Sequence, residues 1–216
     1  MTINDIAPVA RESTAGIIAR QLRTAIMTGA LAPGTQLTEA DLAAQFAVSR
    51  GPLREAMQRL VQEGLLRSEL HRGLFVIDLT AEDVSDIYLA RTAVERAALS
   101  RILGSATLRA AAVELLSEVQ ADMAAASDQD ALSDADLRFH EALVAASGSK
   151  RLVRMAQTLL IETRMCLAAL QRTYRGVEER VEEHRQIVDA IRAGDEPLAL
   201  RLLDAHMADA VDRLTL

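Results

Sequence analysis

The sequence lacks any apolar run long enough to cross a bilayer, and its amino terminus, MTINDIAPVARES, lacks the basic start and apolar segment of a signal peptide. It holds a single cysteine, Cys166, which excludes an internal disulfide and suggests a small core residue in a reducing compartment. Half of its 216 residues are apolar, which is enough for a sizeable core. We therefore expect a globular, soluble, cytoplasmic protein.

The sequence also lacks a net positive charge: its formal net charge is −7 at pH 7. A negative total argues at first against a nucleic-acid partner. However, residues 1–78 hold eight arginines and eight acidic residues, so the net acidity belongs to residues 79–216. A neutral segment with clustered arginines can bind DNA, whereas the acidic remainder is not expected to.

The first 78 residues show the order of elements that is typical of a winged helix-turn-helix domain. Apolar residues at helical spacing predict three helices, and the segment LLRSELHRGLFVI predicts a hairpin. A tight break at Ala47 and Val48 separates the second helix from the third. The predicted elements are helices at residues 13–28, from Thr38 and from Ser49, and strands at residues 65–68 and 74–77.

The third predicted helix carries two arginines, Arg50 and Arg54, four residues apart near its positive end. Two cations at this spacing destabilise an isolated helix, and an external anion would relieve the conflict. In a helix-turn-helix, this helix reads base edges and the wing touches phosphates or the minor groove. The expected DNA contacts are Ser49, Arg50, Arg54, His71, Arg72 and Gly73. The alternative is a solvated basic face beside a purely structural hairpin.

From Thr80 onward the pattern is helical, without a strand signal, an internal repeat or a low-complexity tract. The sequence therefore predicts a mainly α protein: an N-terminal winged helix-turn-helix domain at residues 1–78 and a C-terminal all-α six-helix bundle at residues 79–216. The six helices are expected at about residues 81–103, 105–126, 131–147, 150–174, 177–193 and 196–214.

Three of the four histidines lie in the helical half. Asp136 and His140 are spaced i, i+4 and share one helix face, while His184 and His206 lie on consecutive predicted helices. Three imidazoles and one carboxylate suit a divalent transition metal such as zinc, nickel or manganese. An isolated pair at this spacing is more often a simple hydrogen bond, so the residues alone leave both interpretations open.

The segments PGTQL, LAAQFAVSRGPLREA and EGLL resemble the DNA-binding domain of the GntR superfamily of bacterial transcription regulators. The resemblance implies that Arg50 and Arg54 contact bases and phosphates, that Ser49 contacts a phosphate and that Gly73 is the glycine of the wing. Some members carry a further arginine early in the second helix, where this chain has TEAD.

The motif DxxxH at residues 136–140, the motif EHxxIxxAIxxGD at residues 183–195 and a histidine in the last helix resemble the FCD domain. This domain is the ligand-binding module of the FadR-type branch of the superfamily, and six helices resemble its VanR-like variant. The resemblance implies that Asp136, His140, His184 and His206 coordinate a metal at the base of an effector cavity.

Arg91 and Glu95 stand where the same branch has an arginine and a glutamate four residues apart. One interpretation is a helix-surface ion pair that contributes roughly a few tenths of a kcal/mol. The other places Arg91 at the cavity, facing an anionic effector. Arg164 is a second candidate for this role.

Together the resemblances imply a metabolite-responsive regulator without catalytic residues, a repressor as is commoner in the family. We expect a homodimer on a pseudo-palindromic double-stranded DNA operator, a small carboxylate effector and no membrane partner. Two other interpretations remain: an enzyme that uses a metal held by three histidines and one aspartate, and a DNA-binding or interaction protein with a structural metal or none.

Overall fold

The computed structural model describes residues 12–70, 72–169 and 177–215. The chain separates into two compact units between Asp78 and Leu79. None of the helices in the described ranges is both long and apolar enough to cross a membrane.

In its described residues, the first unit is built on three helices, α1 (Thr14–Met27), α2 (Glu39–Phe46) and α3 (Arg50–Gln62). Side-chain hydroxyls cap the first two, since Ser13 accepts from the Gly16 amide and Thr38 from the Asp41 amide. Helix α1 packs on α3, and both bury the apolar faces that their periodicity predicts. The buried side chains include Ile18, Leu22, Ile26, Leu53, Met57 and Leu60.

The predicted break between α2 and α3 is a left-handed turn. Ala47 has φ 51° and ψ 44°, and its amide and that of Val48 donate to carbonyls of α2. For a residue with a Cβ atom, this left-handed conformation is about 1 kcal/mol less favourable than the right-handed one. The turn ends α2 and lets α3 begin three residues later.

A three-stranded antiparallel sheet completes the first unit, in the order β1 (Gln36–Leu37), β3 (Gly73–Val76) and β2 (Leu66–Glu69). The predicted hairpin strands are present, with ends shifted by one residue. Only the two strands of the hairpin were predicted from the sequence, and β1 was missed. This strand has two residues and forms by pairing Gln36 with Phe75, a contact that local pattern does not reveal.

The second unit, after Asp78, holds the six predicted helices. Thr80 and Asp83 form a complete capping box at the start of the first. The helices are α4 (Ala81–Leu103), α5 (Ala106–Ala124), α6 (Gln129–Ala146), α7 (Lys150–Ala169), α8 (Val177–Ala193) and α9 (Glu196–Thr215).

Helix α4 packs against α6, α7 and α9, while α5 packs against α6 and α8. The shared core contains side chains that are inaccessible to solvent, among them Leu99, Leu116, Phe139, Leu143 and Ile191. The predicted mainly α fold class is confirmed, and helix ends agree within two residues. Residues 170–174, predicted as the end of the fourth helix of the bundle, lie outside the described residues.

Candidate metal centre and nucleic-acid interface

Four side chains from three helices of the second unit meet inside the bundle. Asp136 and His140 lie one turn apart on α6, His184 lies on α8 and His206 on α9. One ligand atom from each lies within 4.8 Å of the others, and all four residues are buried. The short connection between α8 and α9 brings the rings of His184 and His206 to a centroid distance of 4.7 Å.

In each histidine the Nδ1 atom contacts an oxygen outside the four-residue cluster. His140 Nδ1 lies 2.6 Å from Glu95 Oε2, and His206 Nδ1 lies 3.2 Å from Glu183 Oε2. His184 Nδ1 lies 2.8 Å from the Arg180 carbonyl oxygen, one turn earlier in α8. Because a carbonyl or an ionised carboxylate only accepts, each Nδ1 carries the hydrogen, and each Nε2 of a neutral ring keeps its lone pair.

The Nε2 atoms converge. His140 Nε2 lies 3.1 Å from His206 Nε2, and His184 Nε2 lies 3.4 Å from Asp136 Oδ1. Two unprotonated nitrogens cannot donate to each other, and His184 Nε2 makes no hydrogen bond within the described part of the chain. A cation between these atoms satisfies them all, and two nitrogens on one zinc ion are roughly 3.3 Å apart in tetrahedral geometry. The donor set therefore fits a divalent transition metal.

The protonation states favour the same interpretation. Burial lowers the pKa of His140 and His206, and it lowers the pKa of His184 to about 4. Burial alone would raise the pKa of Asp136, but other interactions, led by the charge of Arg180, outweigh burial and hold that pKa well below its usual value. At neutral pH the cluster thus presents neutral imidazoles and an ionised carboxylate, the forms that bind metals.

Two buried arginines lie beside the four-residue cluster. Arg180 Nη1 donates to Asp136 Oδ1 at 2.7 Å, and Arg91 Nε donates to Glu95 Oε1 at 2.7 Å. The relation of Arg180 to Asp136 was missed, although its position four residues before His184 places it on the same face of α8. The helix-surface interpretation of the pair of Arg91 and Glu95 is wrong, because their side chains are 3% and 1% exposed.

Arg91 also retains an unused donor. Its Nη2 atom is buried and makes no hydrogen bond within the described residues, and its guanidinium lies 5.2 Å from the Tyr88 ring centroid. Arg164 differs, since its guanidinium pairs with Asp134 and its side chain is 35% exposed. The structure therefore connects Arg91 to the cluster through Glu95, and the described residues show no such connection for Arg164.

In the first unit, the structure places most of the expected DNA contacts on the exterior. Ser49 and Arg50 are exposed at the start of α3, and Ser49 makes no side-chain capping bond. Arg54 is not free, because its Nε atom lies 2.8 Å from both carboxylate oxygens of Glu39. Glu39 thus offsets part of the repulsion between Arg50 and Arg54. The sequence pattern did not point to this residue.

The wing is stabilised by contacts around its turn. Arg72 pairs with Glu69 at 2.5 Å and stacks 5.2 Å from the Phe75 ring centroid, while its carbonyl accepts from Gln36. Gly73 has φ +97°, a conformation that side-chain-bearing residues rarely adopt. His71, the remaining expected wing contact, lies outside the described residues.

Comparison with known proteins identifies both units. Residues 14–76 match the family described as "Bacterial regulatory proteins, gntR family", and residues 86–209 match the FCD domain. The chain therefore belongs to the GntR family of bacterial regulatory proteins and carries an FCD domain. It is a DNA-binding transcription regulator with an effector-binding domain, and not an enzyme.

Individual relatives cover nearly the whole chain. The "Gluconate operon transcriptional repressor" of Bacillus licheniformis is 31% identical over 93% of this chain and 85% of its own. The "Probable D-xylose utilization operon transcriptional repressor" of Paenarthrobacter nicotinovorans is 32% identical over 85% of this chain and 80% of its own. A GntR protein from Rhodococcus sp. RHA1 of known crystal structure is 32% identical, with a TM-score of 0.73 over 93% of this chain and 96% of that one.

Proposed function

We propose that this regulator is a repressor that binds a pseudo-palindromic operator as a homodimer, and that a small carboxylate bound beside a metal ion controls its operator binding. The observation that carries the proposal is the convergence of three histidine Nε2 atoms and the Asp136 carboxylate. The Nδ1 atom of each histidine contacts a carboxylate or carbonyl oxygen outside the cluster. Outer contacts of this kind orient histidine ligands at metal sites.

The metal would be held by Asp136, His140, His184 and His206, and zinc, nickel and manganese all suit this donor set. A bound metal would supply a Lewis-acidic attachment point for an oxygen of the effector. The protein fixes the imidazole tautomers, keeps Asp136 ionised through Arg180 and excludes water by burying all four side chains.

The effector's negative charge requires a partner, and Arg91 supplies one. Its buried Nη2 donor is unused within the described residues, and its Nε atom is fixed by Glu95. A buried unpaired donor is costly unless a ligand satisfies it, so an anionic group is the favoured occupant. Arg164, engaged by Asp134, fits this role less well. Two relatives repress operons for gluconate and D-xylose use, which supports a sugar acid or a related carboxylate.

On the DNA side, the proposed contacts are Ser49, Arg50 and Arg54 from α3 and His71, Arg72 and Gly73 from the wing. A two-fold dimer presents two α3 helices to half-sites about one helical turn apart. Effector binding alters operator affinity only if it favours one arrangement of the two DNA-binding domains over another. Release of the operator by effector is the expected direction.

The proposal is tested with protein stripped by chelator and reloaded separately with zinc, nickel or manganese. Each form is screened against gluconate, other sugar acids and small carboxylates, with the melting temperature as readout. We expect one compound class to stabilise the metal-loaded protein only. Stabilisation without metal would remove the four-residue cluster from the effector site, and no stabilisation by any compound would favour a structural metal.

Two variants separate the functions. His184→Ala should abolish metal content and effector response yet retain some DNA binding, whereas Arg54→Ala should weaken DNA binding and leave the effector-induced melting shift intact. The matched control for His184→Ala is Glu141→Gln, because Glu141 follows His140 on α6 but is exposed. Unchanged metal content in His184→Ala would overturn the metal site.

A further inference from the structure

Arg54 and Glu39 form an ion pair that links the two helices of the helix-turn-helix. Both oxygens of Glu39, in the first turn of α2, lie 2.8 Å from Arg54 Nε on α3. The Arg54 and Glu39 side chains are 63% and 38% exposed, so the pair lies at the surface of the first unit. The positive end of α2 favours a carboxylate at this position.

The geometry leaves one edge of the guanidinium available. A guanidinium has five N–H donors, and Glu39 uses the one on Nε. The Nη1 and Nη2 atoms of Arg54 make no hydrogen bond within the described residues and keep four donors. These two nitrogens form the fork that pairs with O6 and N7 of guanine in the major groove. Arg50, in contrast, has no ion-pair partner in the described part of the chain.

We propose that Glu39 is a specificity-determining residue that positions Arg54 to read a guanine in each half-site. The inference rests on the proposed contact of Arg54 with DNA and assigns that contact to a base rather than to a phosphate. Arg50, which is unrestrained, then serves as a phosphate contact.

Two physical effects support this division of roles. The Arg54 side chain is already restrained in the free protein, so less conformational entropy is lost when it contacts DNA. In addition, the carboxylate of Glu39 offsets the positive charge of Arg54 and so weakens attraction to phosphates, which is independent of sequence. Both effects increase the difference between specific and non-specific binding. An exposed ion pair contributes little to folding, so Glu39 can be changed without loss of the fold.

The test is selection of binding sites from a random duplex library by the wild-type chain, Glu39→Gln and Arg54→Ala, followed by sequencing. We expect both variants to lose preference for guanine at the same position of each half-site. Binding of Glu39→Gln to a random-sequence duplex should strengthen several-fold and depend more steeply on salt. Its ratio of specific to non-specific affinity should fall about tenfold.

A matched control removes a carboxylate from another arginine of the same unit. Glu12→Gln releases Arg20, which pairs with Glu12 at 3.1 Å, and should leave base preference unchanged. If Glu39→Gln strengthens binding to selected and random duplexes equally, Glu39 contributes only charge and the inference is overturned. If Arg54→Ala itself keeps the guanine preference, the proposed base contact of Arg54 fails, which is a distinguishable result. Thermal unfolding of each variant verifies that it is folded.

Discussion

Glu95 Oε2 lies 2.6 Å from His140 Nδ1, and neither side chain is more than 1% exposed. The other oxygen of Glu95 accepts from Arg91 Nε. Burial alone would raise the pKa of Glu95, but its contacts with His140 and Arg91 outweigh burial and lower that pKa. One carboxylate therefore connects the proposed anion-binding arginine to a proposed metal ligand.

This connection predicts the effect of Glu95→Gln. The amide keeps a similar shape but leaves buried Arg91 without a counter-charge, which should lower the free energy of unfolding by about 3 kcal/mol. Loss of the charged contact to His140 should weaken metal binding at least about tenfold. Competition with a chelating dye measures the affinity, and urea unfolding measures the stability. Wild-type metal affinity in this variant, equal to that of the Glu141→Gln control, would contradict the outer role of Glu95.

Metal-free protein should lose stability as the pH falls. A histidine whose folded pKa lies below its unfolded value contributes stability that is fully present above the unfolded pKa, and this stability is lost as the pH falls toward the folded one. For His184, burial lowers the pKa from 6.5 to about 4, so the loss falls between these values. By pH 5 this histidine alone should cost about 2 kcal/mol.

The measurement is urea unfolding of chelator-treated protein at pH 7.5, 6 and 5. A His184→Gln variant, which lacks the titrating ring, should show a smaller change over the same interval. Equal stability of the wild-type chain at pH 7.5 and pH 5 would refute this account of the buried histidines.

The left-handed turn at Ala47 predicts a stabilising substitution. Ala47→Gly removes the Cβ penalty at φ 51° and should stabilise the first unit by about 0.5–1 kcal/mol, despite the greater freedom of glycine when unfolded. Ala44→Gly is the matched control, because Ala44 is exposed within α2 and glycine there should destabilise by about 1 kcal/mol. Hydrogen exchange of the α3 amides reports both effects, and the same sign for both variants would count against the prediction.

Cys166 should be inert in the folded protein. The residue is 1% exposed, and burial, followed by the charge of Glu162, raises the pKa of its thiol to about 12. Because the thiolate is the reactive form, alkylation by iodoacetamide at pH 8 should be at least about 100-fold slower than in denaturant. Mass spectrometry of intact protein follows the reaction, and rapid modification under native conditions would show that this part of the core opens readily.

Much of the fold could be predicted from patterns of neighbouring residues in the sequence. The helices of both units were predictable because apolar spacing, capping residues such as Thr38 and Thr80, and glycine-containing breaks all act over a few residues. Strand β1 was not predictable, because its two residues form a strand only by pairing with β3, some forty residues later in the chain.

The candidate site, too, was predictable only where its residues are close in the sequence or match a family motif. The i, i+4 spacing of Asp136 and His140 is visible in the sequence, and resemblance to the FCD domain adds the two later histidines. The same spacing joins Arg91 to Glu95, yet spacing does not distinguish a surface pair from a buried one. Contacts between helices, such as that of Arg180 with Asp136, depend on packing between segments distant in the chain.

The three histidines are anchored by different kinds of group, and this difference affects how the site can evolve. Glu95 and Glu183, which hold His140 and His206, are side chains that mutation can replace. His184 is held by a main-chain carbonyl of its own helix, which every residue type provides. At the proposed metal site, substitutions at these two outer positions can therefore adjust metal affinity while every proposed ligand is kept. His184 keeps its orientation as long as α8 remains a helix.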